Sequence, residues 1–302
     1  MIPESAVQSL RTSLRGQSFV SGEQGYDAAR TIPNAMIDRR PAIIARCVGA
    51  ADVVVCVRFA REHDLLVAVR GGGHSVAGKS VCDGGLMIDM SAMKGIRVDP
   101  ARRTVRAETG LTLGEFDRET QAFGLATTLG TVSKTGIAGL TLGGGWGHLH
   151  AKYGLALDNV IGADVVTADG RLLTANASEN ADLFWGVRGS GGNLGIVTSL
   201  EYRLHEVGPL LGGAVFYPVP KAHEVFRFFR EFPERAPKLQ IRIPAARSRP
   251  RRSKARIGNR PGDDVHIPRL FRSCRSRRFR QARRRCFPPG PDECLRGTFR
   301  VQ

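Results

Sequence analysis

The sequence predicts an α+β fold for residues 38–206, and three observations carry the prediction. A segment with the apolar spacing of a helix, Cys47 to His63, runs into a short apolar, β-branched stretch, Leu65 to Val69, that ends on a glycine turn. Beyond it, pairs of strand-like segments alternate with short helix-like ones as far as Leu204. A span of this length also lies within the usual size of one domain.

Within the first helical segment, Val53, Val54, Val57, Phe59 and Ala60 mark one face, and Asp52 stands near its start. Gly84 to Met93 reads as a further strand, and Gly95 to Gly110 as a hairpin turned at Asp99-Pro100. Thr112 to Gly124 reads as a helix with Glu115 in its first turn and Gly124 at its end. Val160 to Ala175 has the pattern of a strand pair with an Asp169-Gly170 turn. A short helix, a glycine loop and a strand from Ile196 to Leu204 follow. After Gly208-Pro209 a second unit begins, with a strand-like segment at 212–219 and helical spacing at Val225, Phe228, Phe229 and Phe232.

Charge divides the chain sharply. Of 45 Lys and Arg residues 19 lie in 241–302 with only 4 of the 28 acidic residues, so this segment carries +15 and the first 240 residues carry +2. Only 12 of its 62 positions are Val, Ile, Leu, Phe, Met, Trp or Tyr, too few to bury a core against that charge, so a disordered basic tail is expected over 238–302. The N-terminal residues contain no apolar run of signal-peptide length, and no segment approaches the ~18 apolar residues of a membrane span; a cytoplasmic location is the expectation. Six cysteines, at 47, 56, 82, 274, 286 and 294, form neither CxxC pairs nor a zinc-type cluster, so free thiols and no metal site are expected.

Three glycine clusters carry the functional argument: RGGGHS (70–75), GLTLGGGWG (139–147) and RGSGGNLG (188–195). None matches GxGxxG, because Val76, His148 and Leu194 stand where the third glycine would be, and no GxxxxGK[ST] loop is present. Successive glycines do let backbone N–H groups converge on an anion, and three clusters in one domain point to a large phosphate-bearing ligand. Each cluster could also serve tight turns and close packing. His148 and His150 read as structural or surface groups, and Trp146, Phe184 and Trp185 either line a site or pack apolar surface.

VRGGGHSVAG, GTVSKTGIAGLTLGGGWGHLHAKYGLALDNVIGADVVTADG and ENADLFWGVRGSGGNLGIVT together closely resemble the FAD-binding domain of the p-cresol methylhydroxylase and vanillyl-alcohol oxidase type, in its berberine-bridge-enzyme-like branch. The resemblance implies a two-subdomain FAD-binding domain over 38–206, preceded by an N-terminal segment (1–37) and followed by the start of a substrate domain (207–237). By the same resemblance Gly71, Gly72, Gly73, His74 and Ser75 match the loop that wraps the FAD pyrophosphate, and His74 the histidine bonded to the flavin 8α-methyl carbon in many members. Gly130, Thr131, Gly136, Ile137, Gly139, Thr141, Gly144 and Gly145 match the segment under the isoalloxazine and ribityl chain, and Ile196 and Val197 an apolar pair near the adenine side. Val132 stands where some members attach the flavin a second time through cysteine, and valine cannot form that bond.

The activity this implies is FAD-dependent oxidation of a small alcohol, sugar, amine or secondary metabolite. A base takes a substrate proton, hydride passes to flavin N5, and dioxygen is the electron acceptor. The sequence gives no catalytic base, since in the family the substrate domain usually supplies it, and after Pro237 nothing resembles that domain. A reading-frame change near Pro237 accounts for the abrupt shift to Arg, Pro and scattered Cys, and with it a chain truncated in function. The alternative is a non-catalytic flavin-domain protein whose basic tail, with Phe271, Phe279 and Phe287 among its arginines, binds nucleic acid or an anionic surface.

Overall fold

A computed structural model describes residues 2–208 and 217–232. These fall into two compact units, one reaching Gly208 and one containing 217–232. The first unit is built on two sheets.

The first sheet combines β1 (Gln17–Val20), β2 (Ile43–Arg46), β3 (Val67–Arg70) and β4 (Leu86–Asp89) in the order β1-β2-β4-β3. Strands β2, β4 and β3 are parallel, and β1 joins the edge antiparallel to β2. All four residues of β4 are buried, as both faces of the sheet are covered. On one face Ile43, Ala45, Leu86 and Ile88 pack with Leu10 of α1 (Glu4–Ser13) and with Val53, Cys56, Val57 and Ala60 of α3 (Ala50–Glu62). On the other face the alternate residues Ile44 and Met87 pack with Tyr26 and Ala29 of α2 (Tyr26–Arg30), Ile32 and Val81.

The second sheet is antiparallel, ordered β5-β6-β10-β8-β9, from β5 (Ile96–Asp99), β6 (Thr104–Glu108), β8 (Val160–Val166), β9 (Leu172–Asn176) and β10 (Ile196–Arg203). Its core face carries Val105, Ala107, Ala163, Val165, Leu200 and Tyr202 against α4 (Leu113–Gln121), α5 (Ile137–Leu142) and α7 (Ala181–Val187). A short ribbon pairs β7 (Leu125–Ala126) with β11 (His205–Glu206), and α6 (His150–Tyr153) is a single turn. Val166 and Ile196 pack into the first sheet's core, so the two halves of the unit share a continuous apolar seam.

The α+β expectation holds for this unit, with adjusted boundaries. The helix expected at 112–124 forms as Leu113–Gln121, started by a capping box in which the Glu115 carboxylate accepts from the Thr112 amide at 2.7 Å. The expected two-residue turns are wider: residues 100–103 join β5 to β6 with Arg103 at φ +52°, and 167–171 join β8 to β9. Residues 1–37 contribute α1, α2 and the edge strand β1. In the second unit α8 spans Ala222–Glu231. The strand expected at 212–219 falls mostly, and the basic tail at 238–302 wholly, outside the described residues.

Candidate functional site

The first glycine loop leaves β3 at Arg70, whose side chain is anchored before the glycines begin. Arg70 donates through Nε to Asp89 Oδ1 at 3.1 Å and through Nη2 to Asp89 Oδ2 at 2.5 Å, and its Nη1 donates to the carbonyls of Ala29 (2.6 Å) and Thr31 (3.2 Å). Arg46 donates to the same carboxylate at 3.0 Å. The Asp89 side chain is wholly buried. Burial alone would raise its pKa, but the Arg70 hydrogen bond and charge, the Ser91 amide and Arg46 outweigh that and hold it below the usual carboxylate range.

Beyond Arg70 the glycines make backbone contacts that a side chain would forbid. A Cβ on Gly72 would stand 2.2 Å from the Gly136 nitrogen, and one on Gly136 would stand 2.3 Å from the Gly72 nitrogen. The first glycine loop therefore touches the 130–145 segment main chain to main chain, at Gly136 just ahead of the second cluster. Gly71 lies against the Thr109 carbonyl, 3.1 Å from where its Cβ would be, and the Thr109 hydroxyl donates to the Val197 carbonyl at 2.8 Å. Gly73 is buried against Pro33 and Ile32. His74 is exposed and makes no hydrogen bond among the described residues, and Ser75 Oγ accepts from the Lys79 amide at 3.2 Å within a local turn.

The second segment wraps α5. Gly130 packs under Leu113 and Leu140, while Thr131 and Gly139 are exposed. The side chains of Ile137 and Thr141 point into the core: Ile137 is fully buried, and Thr141 Oγ1 shares a 2.9 Å hydrogen bond with the Tyr202 hydroxyl. Burial raises the Tyr202 pKa despite that bond. Gly144 and Gly145 turn the chain back with φ of +116° and +79°. The third loop closes on the far end of α5, where the Gly189 and Gly191 amides both donate to the Leu142 carbonyl at 3.0 Å. Ile196 and Val197 open β10, paired with Val166 and Val165, and Val197 is buried.

All three glycine clusters thus meet around one short helix, the first at its start and the third at its end. Arg188 Nε and Ser190 Oγ in the third loop, and Thr127 Oγ1 and Thr128 Oγ1 ahead of the second, are buried without a partner among the described residues. Such groups are costly unless something else satisfies them. Val76, Val132, Trp146, Trp185 and Leu194 are exposed apolar side chains on or beside the same loops. Glycine loops in contact, buried hydroxyls without a partner and exposed apolar side chains fit a large ligand lying across them. Of the expected aromatics, Phe184 is core and carries the Arg188 guanidinium over its ring at 4.4 Å. No His, Cys, Asp and Glu grouping suited to a metal occurs among the described residues.

A cavity of about 390 Å³ lies elsewhere, lined by Arg97, Arg106, Glu108, Asp164 and Ser199 among others, and shares no residue with the loops. Three of its charged side chains are already engaged, Arg106 with Asp164 and Glu108 with the Gly95 amide. The sequence reading missed Asp89, Arg46 and Thr109. An acidic residue closing a buried apolar strand, as in LMID, was the available signal for the first.

Glycine loops meeting at one short helix define a candidate ligand-binding domain, and comparison with known proteins indicates its class. Residues 41–176 match the FAD binding domain family. (R)-6-hydroxynicotine oxidase of Paenarthrobacter nicotinovorans is 40% identical over 195 residues, 65% of this chain and 43% of that protein. The crystal structure of 6-hydroxy-D-nicotine oxidase from Arthrobacter nicotinovorans superposes with a TM-score of 0.70 at 37% identity, covering 72% of this chain and 49% of that one. Glucooligosaccharide oxidase from Acremonium strictum, described as carrying a 6-S-cysteinyl, 8α-N1-histidyl FAD, superposes with a TM-score of 0.62 at 30% identity over 67% of this chain and 43% of that one. This chain is therefore related to FAD-linked oxidoreductases and spans less than half the length of these relatives. No described helix is long and apolar enough to cross a membrane.

Proposed function

We propose that residues 38–206 hold FAD across the three glycine loops and serve an oxidase of a small organic molecule, an alcohol, sugar, amine or secondary metabolite. The main-chain contact between Gly72 and Gly136 carries the reading, since it joins the two loops that the pyrophosphate and the ring would each need. When bound, the flavin supplies hydride acceptance from the substrate and reoxidation by dioxygen. The chain's own residues supply the rest. The amides of Gly71 to Gly73 would hold the phosphates, Gly130 and Gly136 to Gly145 would support the ring, and Ile196 and Val197 would border the adenine side. His74, exposed and without a hydrogen bond among the described residues, offers an imidazole nitrogen for a covalent link to the 8α-methyl carbon. The histidyl link of the glucooligosaccharide oxidase flavin supports this assignment. Val132, exposed beside the bed, has no thiol for a second link.

The test is to express the full chain in riboflavin-fed cells, purify it, and record its absorbance. It is then mixed anaerobically with an amine, an alcohol and a reducing oligosaccharide in turn. Stoichiometric yellow flavin, bleached by one of these and restored by air, is expected. A colourless protein that leaves the fluorescence of added FAD unchanged would rule the reading out.

A further inference from the structure

We propose that His150 is a positioning residue, a neutral imidazole that ties the Trp146 indole to the main chain and so fixes the 143–147 loop beside the flavin bed. What the loop is for rests on the flavin reading; the tie itself does not.

The two partners of His150 dictate its state. Its Nδ1 lies 2.8 Å from the Gly147 carbonyl oxygen, which can only accept, so Nδ1 carries the hydrogen. Its Nε2 lies 3.2 Å from Trp146 Nε1, whose N–H can only donate, so Nε2 is the bare lone pair. Both contacts demand the same neutral tautomer, and an imidazolium would aim a second N–H at the indole's own. The ring centroids are 5.2 Å apart.

Gly147 cannot yield to this pull. It is buried, and a Cβ there would fall 1.5 Å from the Leu129 carbonyl oxygen, so its main chain is pressed onto the residue before Gly130. The Gly147 carbonyl also accepts from the His150 amide at 3.2 Å. The tie therefore runs from the indole through His150 and Gly147 to the Leu129-Gly130 segment. It matters because the indole is 46% exposed, and its single polar atom is used up in holding it still. His148 makes no such tie: it is exposed, with its ring 6.4 Å from that of Trp146 and no hydrogen bond among the described residues.

Two measurements test this. In the unmutated full chain without added FAD, NMR would compare hydrogen exchange at the two indole N–H groups. Trp185 is the internal control, 76% exposed and without a hydrogen bond among the described residues. Losing one neutral hydrogen bond shifts a held-to-free equilibrium roughly fivefold. Exchange at Trp146 is accordingly expected to be slower by about that factor, and equal rates overturn the proposal. In a Trp185→Phe background, His150→Ala is expected to raise acrylamide quenching of Trp146 and to weaken FAD binding by roughly threefold to tenfold. His150→Gln, which keeps an acceptor near Nε2, is expected to restore most of both. Parental quenching and affinity in His150→Ala, or a Gln variant no better than Ala, overturn the proposal. Should the parent chain fail to bind FAD while its Trp146 exchange is slow, the flavin reading falls and the tie stands.

Discussion

The first and third glycine loops look alike in sequence, but Gly72 in the first and the middle glycines of the third answer different needs. In the first, Gly72 is required because main chain from Gly136 occupies the place of its side chain. In the third, a Cβ on Gly189, Gly191 or Gly192 would meet nothing within 4 Å, but φ values of +121°, +68° and +97° are what L residues avoid. The first loop is also fixed at its root by a buried ion network, whereas the third is held by two amides on one carbonyl. Gly72 is thus demanded by the close approach of main chain, and Gly189, Gly191 and Gly192 by the backbone conformation they supply.

The largest effect should come from the root of the first loop. Asp89→Asn leaves Arg70 and Arg46 facing each other without an anion, and breaking a buried pair costs about 3–5 kcal/mol. Because the folded pKa of Asp89 is depressed, its contribution is present above the ordinary value of 3.8 and is lost as pH falls through the folded value. Urea melts from pH 7 down to pH 3 should show a smaller acid-linked loss in the variant than in the parent. Gly72→Ala comes next, at about 3 kcal/mol or more, since the atoms it would displace are main chain. Gly191→Ala should cost only about 1 kcal/mol, through its left-handed conformation alone. If the two glycine variants melt at the same urea concentration, the contrast between the loops is wrong.

An effect of opposite sign, comparable to that of Gly191→Ala, lies on α4. Burial raises the Asp117 carboxyl to about 6, with no side-chain hydrogen bond among the described residues to offset it. A raised folded pKa contributes stability below 3.8 that is lost as pH rises through about 6, so at pH 7 the residue is a burden. Allowing for its partial exposure, Asp117→Asn should stabilise the chain by about 1–2 kcal/mol at pH 7 and by nothing measurable at pH 3.5.

Much of this was legible in the residues. Thr112 and Glu115 announced the start of α4, and the alternation of Val105 and Ala107 announced the buried face of β6. The glycine clusters were visible as clusters, and their meeting was not. Gly72 gives no local sign that Gly136 will lie against it, since that contact is tertiary, between the loop leaving the first sheet and the start of α5, which is seated in the second sheet's core. Nor did Ile137 and Thr141 reveal that their side chains would enter the core and leave only main chain toward the site. The edge strand β1 escaped for a simpler reason. Gln17–Val20 is four residues with no buried position and no alternation to stand out, and it is placed by pairing with β2.

The central claim is that the first loop presents His74 to a flavin. Peptide mass mapping of the full chain, expressed with ample riboflavin and digested after denaturation, tests it most directly. The peptide containing His74 should carry the added mass of FAD, and His74→Ala should release its flavin into the acid-soluble fraction. Flavin-free His74 peptide from a protein that was yellow before denaturation would contradict the covalent assignment.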